Sequence, residues 1–116
     1  MTKRLVRARL RCARFILSAA LLLPAASLRA EDEADLELGR QVFVELATPQ
    51  CSICHVLADA EAVGKIAPSL DELKPTSERV RAAVIDGPGA MPSYAELLSE
   101  EQIEAVAHYV ATVAGP

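Results

Sequence analysis

The run CSICH at residues 51–55 sets two thiols three positions apart with a histidine directly behind them, and it restricts this chain more than any other segment. Only three cysteines occur in 116 residues, and Cys12 lies in an N-terminal stretch set apart below, so Cys51 and Cys54 hold the thiol chemistry of the body of the chain. A disulfide between them would close almost no loop and would restrict the unfolded chain very little. Some other staple is needed. From Glu31 to Pro116 the sequence is one domain of 86 residues, whose aromatics are Phe43, Tyr94 and Tyr109. Domains of this size bury modest cores and commonly recruit a disulfide, a metal or another cross-link. A large apolar group from outside the polypeptide would fill that gap.

The first thirty residues stand outside the domain. MTKRLVRARLRCAR holds six basic residues and no acid, FILSAALLLPAAS is apolar, and SLRA then meets the acidic EDEADLE. This order is that of a cleavable secretory signal, residues 1–30, with the cut expected after Ala30; Leu28 is larger than usual two places before it, which leaves the exact bond open. The Arg-rich, acid-free composition also fits a mitochondrial transit peptide, but the compact apolar block favours export to the periplasm. The apolar run from Phe15 to Ala26 counts 12 residues, against the roughly 20 that span a bilayer. Cys12 leaves with the signal. Residues 31–116 then carry five basic residues against sixteen acids, a formal charge of −11. Nucleic acid is repelled by such a surface. A partner with a basic docking patch is not, and an acidic surface that serves only solubility fits the charge equally well.

Along the domain, ADLELGRQVFVELA places Leu36, Gly39, Val42, Phe43 and Leu46 on one face at helical spacing. Gly39 inside that helix costs about 1 kcal/mol relative to alanine, which points to a second backbone passing close. CSICHVL begins a short helical turn, GKIAPSL is loop, and DEL forms one turn. LKPTSERVRAAVIDG predicts a helix with Thr76 as N-cap, Val80, Ala83 and Val84 inward, and Gly87 with Pro88 ending it. GPGAMPSY, with two glycines and two prolines in eight residues, is irregular. The last helix opens with a capping box, Ser99 and Gln102, and lines up Ile103, Val106, Ala107, Val110 and Ala114. No segment alternates apolar and polar residues for long, so no sheet is expected.

Three chemistries compete for CSICH. A thioredoxin-like disulfide sits at the start of a helix that follows a strand, and no strand pattern precedes Cys51. Structural zinc takes four ligands, while Cys51, Cys54 and His55 supply three. The other histidine, His108, falls about 140° round the last helix from Ile103, on its polar side, and is expected at the surface rather than on a metal. Covalent haem asks for what is present: two thiols on one turn add across two vinyl groups, and the following histidine reaches the iron. Beyond the initiator, Met91 is the single methionine. Either it is an apolar gap-filler, or its thioether is the second axial ligand. With CSICH upstream, the ligand reading is preferred.

CSICH, GKIAPSL, GPGAMPSY and LSEEQIEAVAHYVATV, in this order and spacing, resemble the class I c-type cytochromes over Leu36 to Ala114. The resemblance implies an all-α fold of about four short helices packed around one covalently bound haem c. By it, Cys51 and Cys54 carry the haem, His55 and Met91 are its axial ligands, the Pro68 carbonyl accepts from the His55 ring, and Leu70 packs on the haem. Gly39 and Phe43 would lie where the first helix crosses the last, with Tyr109 beside them. Two departures stand out. TPQ lengthens the approach to Cys51, and Tyr109 lies about 120° from the middle of the apolar face, so it is expected to bridge core and rim.

A narrower likeness runs through CSICHVLADAEAVGKIAPSLDELKPTSERV and the MPSY loop, which are similar to the small monohaem cytochromes that serve as electron-accepting partners or subunits of periplasmic sulfite dehydrogenases. The expected function is therefore a periplasmic one-electron carrier, not an enzyme. It would act as a monomer or small hetero-complex subunit with a donor dehydrogenase and a downstream cytochrome or oxidase, and without a membrane span after processing. A gas-binding or sensory haem domain with a displaceable Met91 is the alternative.

Overall fold

The computed structural model describes the backbone of residues 25–115 and the side chains of residues 27–115. Residues 1–24, with the basic stretch and most of the apolar block of the expected signal, lie outside the described residues. Among the described residues no helix is long and apolar enough to cross a membrane.

Among the described residues five α-helices and a short hairpin follow in order: α1 (Ala25–Gln41), continued by a π-helical turn (Val42–Leu46), α2 (Cys51–Cys54), β1 (Val56–Leu57), a 3₁₀ turn (Ala58–Ala60), β2 (Ala62–Val63), α3 (Leu70–Leu73), α4 (Ser77–Asp86) and α5 (Glu100–Val113). The hairpin corrects the expectation of no sheet. Val56 pairs with Val63 and Leu57 with Ala62, antiparallel; strands of two residues are too short to write an alternation into the sequence.

α1 and α4 both pack on α5. Gly39 makes the first crossing close, since a Cβ built there would stand 2.2 Å from the carbonyl oxygen of Ala105 and 2.4 Å from Cβ of Tyr109. Val42 and Phe43, on the π turn, are buried beside it. The same wide turn breaks the 100° spacing, and Leu46, expected inside, is 43% exposed. Tyr109 is 2% exposed and its ring meets that of Phe43 at 6.3 Å between centroids, tilted by 59°. Its hydroxyl donates to Asp59 Oδ2 at 2.6 Å, so it is buried and also reaches the rim.

The caps are where the sequence put them. Thr76 Oγ1 accepts from the Arg79 N–H, Gly87 ends α4 with φ +61°, and Ser99 and Gln102 form both bonds of the capping box. Outside the core, Arg81 of α4 pairs with Glu100 and Glu104 of α5. His108 is at the surface as expected, with its Nε2 2.9 Å from Asp32 of α1. Asp71 of α3 uses both carboxylate oxygens, accepting from the Ala58 N–H at 2.8 Å and the Gly115 N–H at 2.9 Å. It thereby ties the hairpin, α3 and the C-terminal segment together.

Candidate haem site

α2 is a single turn, long enough to put Cys51 and Cys54 at i and i+3 on one face. His55 then leaves the helix in an extended conformation, φ −105° and ψ 142°, with its N–H on the Cys51 carbonyl at 3.0 Å. The residues that follow return to this turn. The Ala67 N–H donates to the Cys54 carbonyl at 2.9 Å. Gly64 lies against Ile53 and Cys54, where a Cβ would come within 2.4 Å of the Ile53 carbonyl oxygen. Only a residue without a side chain lets the loop sit that close.

This return brings Pro68 to the histidine. His55 Nδ1 lies 2.8 Å from the Pro68 carbonyl oxygen. A carbonyl can only accept, so the proton is on Nδ1 and the lone pair of Nε2 is left free as a ligand.

Both His55 and Cys51 line an apolar cleft of about 420 Å³. Several elements contribute to its lining, among them the π turn with Phe43, α5 with Val106 and Val110, α3 with Leu70 and Leu73, α4 with Val80, Ala83 and Val84, and the loop between α4 and α5 with Pro88, Ala90 and Met91. Arg79, on the first turn of α4, is the cleft's arginine. The structure thus brings His55, Pro68, Leu70, Met91 and Cys51 to one cleft, with Cys54 on the same turn as Cys51. Burial pushes the Cys51 thiol up to about 11, and both cysteines are free of disulfides. Among the described residues no group of three or more His, Cys, Asp and Glu side chains converges to hold a bare metal ion.

The cleft also has supports that the sequence reading passed over. The Tyr94 hydroxyl donates to the Pro49 carbonyl at 2.7 Å, linking the residues after Met91 to those before Cys51. Burial, then the thiols of Cys51 and Cys54, push this phenol up to about 12, so it stays a donor at neutral pH. An aromatic three places after Met91 was the one available signal. The partner is a backbone carbonyl, which no sequence pattern marks.

Residues 34–110 match the sequence profile of the family described as cytochrome C oxidase, cbb3-type, subunit III. The chain is similar to chloroplastic cytochrome c6 of Chlamydomonas reinhardtii, 36% identical over 85 residues, covering 66% of this chain and 53% of that protein. It thus spans about half the length of that relative. Cytochrome c6 of Leptolyngbya boryana is 35% identical over 81 residues, covering 66% of this chain and 91% of that protein. Among solved structures, the c-type cytochrome SorU from Sinorhizobium meliloti superposes with a TM-score of 0.70 at 60% identity, over 72% of this chain and 94% of that one.

Proposed function

Because this chain belongs to the cytochrome c family, whose members are electron-transfer proteins and carry haem c covalently, we propose that it is an exported monohaem carrier in which His55 and Met91 would hold the haem iron. The donor set fits the group. Cys51 and Cys54 would bind it through thioethers, the apolar lining from Phe43, Leu70, Val80, Val106 and Val110 would pack on it, and Arg79 would offer positive charge to its carboxylates. When bound, the haem supplies an iron that exchanges one electron at a time.

The chain's own residues do the rest. Pro68 fixes the His55 ring and selects the neutral tautomer whose Nε2 carries the lone pair. The cleft's apolar lining keeps water from the bound group. If His55 and Met91 both hold the iron, they would leave no room on it for oxygen or peroxide, which would favour transfer over turnover. The observation that carries this reading is that His55, with its tautomer set by Pro68, and Met91, the sole methionine after the initiator, line the same cleft. Carbon monoxide added to the reduced holo-protein tests it. Little binding at neutral pH is expected, and ready binding would identify instead a gas-binding domain with a displaceable Met91.

The proposed export rests on the basic and apolar N-terminal segment, and the proposed partner on charge and likeness. A cut after Ala30 would begin α1 at Glu31 and place Glu31, Asp32 and Glu33 in its first turn, where acids suit the helix dipole; the uncut helix has no acid there. N-terminal sequencing of protein from the periplasmic fraction checks both the cut and the location. The donor best supported is a sulfite dehydrogenase, through the likeness of the CSICHVLADAEAVGKIAPSL segment to its cytochrome partners. Sixteen acids against five bases after Ala30 match a basic docking patch, so the rate of reduction should fall as salt rises. If sulfite and its dehydrogenase leave the protein oxidised, that donor is wrong and the carrier reading stands.

A further inference from the structure

Tyr94 is buried next to the cleft but is not part of its lining. Its N–H donates to the Val84 carbonyl at 2.8 Å, and the Ser93 hydroxyl donates to the Ile85 carbonyl at 2.5 Å, which fastens the Met91 loop to the end of α4. The side chain makes a different connection. Its hydroxyl reaches Pro49, one residue before Gln50, the N-cap of α2. Among the described residues this is the hydrogen bond that joins the Met91 loop to the segment leading into Cys51, Cys54 and His55. Pulling the loop away from that segment must break it.

We propose that Tyr94 is a positioning residue, which holds the Met91 loop at a fixed offset from the Cys51–His55 segment and so resists replacement of Met91 by an outside ligand. The inference rests on Met91 being an axial ligand, as proposed above. A phenylalanine would fill the same space and give no such tie. The role therefore belongs to the hydroxyl rather than to the ring.

The experiment titrates four ferric holo-proteins with imidazole: the parent, Tyr94→Phe, Tyr109→Phe and Met91→Ala. It follows the weak long-wavelength absorption that a thioether gives on ferric haem. The parent should show that band and Met91→Ala should lack it. Tyr94→Phe should keep the band but lose it to imidazole at a concentration lower by roughly three- to tenfold, the range that one net hydrogen bond supports. Tyr109→Phe, which loses a phenolic hydrogen bond away from the cleft, should titrate like the parent. A Tyr94→Phe midpoint equal to the parent's overturns the proposal. So does an equal shift in Tyr109→Phe, which would mark a general loosening of the fold. Absence of the band from the parent defeats Met91 ligation and this inference together, whereas a present band with an unmoved Tyr94→Phe midpoint defeats the inference alone.

Discussion

The hydroxyl of Tyr109, on the last helix, donates to Asp59, in the turn of the hairpin, across 2.6 Å. The ring beneath it is packed on Phe43, so removing the oxygen alone leaves that packing in place. Tyr109→Phe should lower stability by about 1 kcal/mol, the usual net worth of such a bond. Denaturant midpoints of the holo-protein measure it.

The same phenol gives the fold an alkaline limit. Burial, then the hydrogen bond to Asp59 and its charge, raise the Tyr109 phenol above its ordinary value, and Tyr94 is pushed up to about 12. A raised phenol keeps its proton in the folded state where the unfolded chain has lost it. Its contribution is complete below about pH 10 and fades as pH rises through the folded value. Unfolding free energy should therefore fall between about pH 10 and 12, with a shallower slope in Tyr94→Phe. Denaturant titrations at stepped pH give the comparison.

Gly39→Ala should be among the most damaging small changes outside the haem site. The added methyl would strike the Ala105 carbonyl, which is helix backbone and cannot rotate away. Overpacking of this kind costs about 3 kcal/mol where α1 must back off from α5. A lowered denaturation midpoint with an unchanged haem spectrum is expected; an unchanged midpoint would mean that the crossing is looser than described.

If the haem is held through this turn as proposed, Cys51→Ala should leave one thioether at Cys54, and the reduced pyridine adduct should absorb at the position of a haem with one free vinyl. Replacing both cysteines should let the colour leave in acid–acetone. Colour retained by the double variant would contradict covalent attachment through this turn.

The parts of this molecule that were readable in advance are those encoded locally. CSICH, the Ser99–Gln102 box, the Thr76 cap and the Gly87 stop each depend on residues within a few positions, and each stands where the spacing put it. Gly39 was also legible, because a glycine inside a helix demands a reason. Tyr109 was harder. A wheel drawn for one apolar face sets it to the side, but α5 is covered by α1 as well as by α4, so Ala105 and Tyr109 are buried too. The polarity of its neighbours on α5 places His108 at the surface, whereas its pairing with Asp32 of α1 depends on the tertiary arrangement. Tyr94 and Pro49 are 45 positions apart and meet through a main-chain oxygen, which leaves no trace in side-chain patterns.

The bidentate grip of Asp71 has a practical outcome for anyone wiring this protein to an electrode. With the Gly115 amide clasped by the same carboxylate that holds Ala58, a linker fused behind Gly115 departs from α3, whose Leu70 and Leu73 line the apolar cleft. Immobilisation through that end should present the porphyrin to the conductor at a reproducible angle. Asp71→Ala would release the anchor point and scatter the orientations.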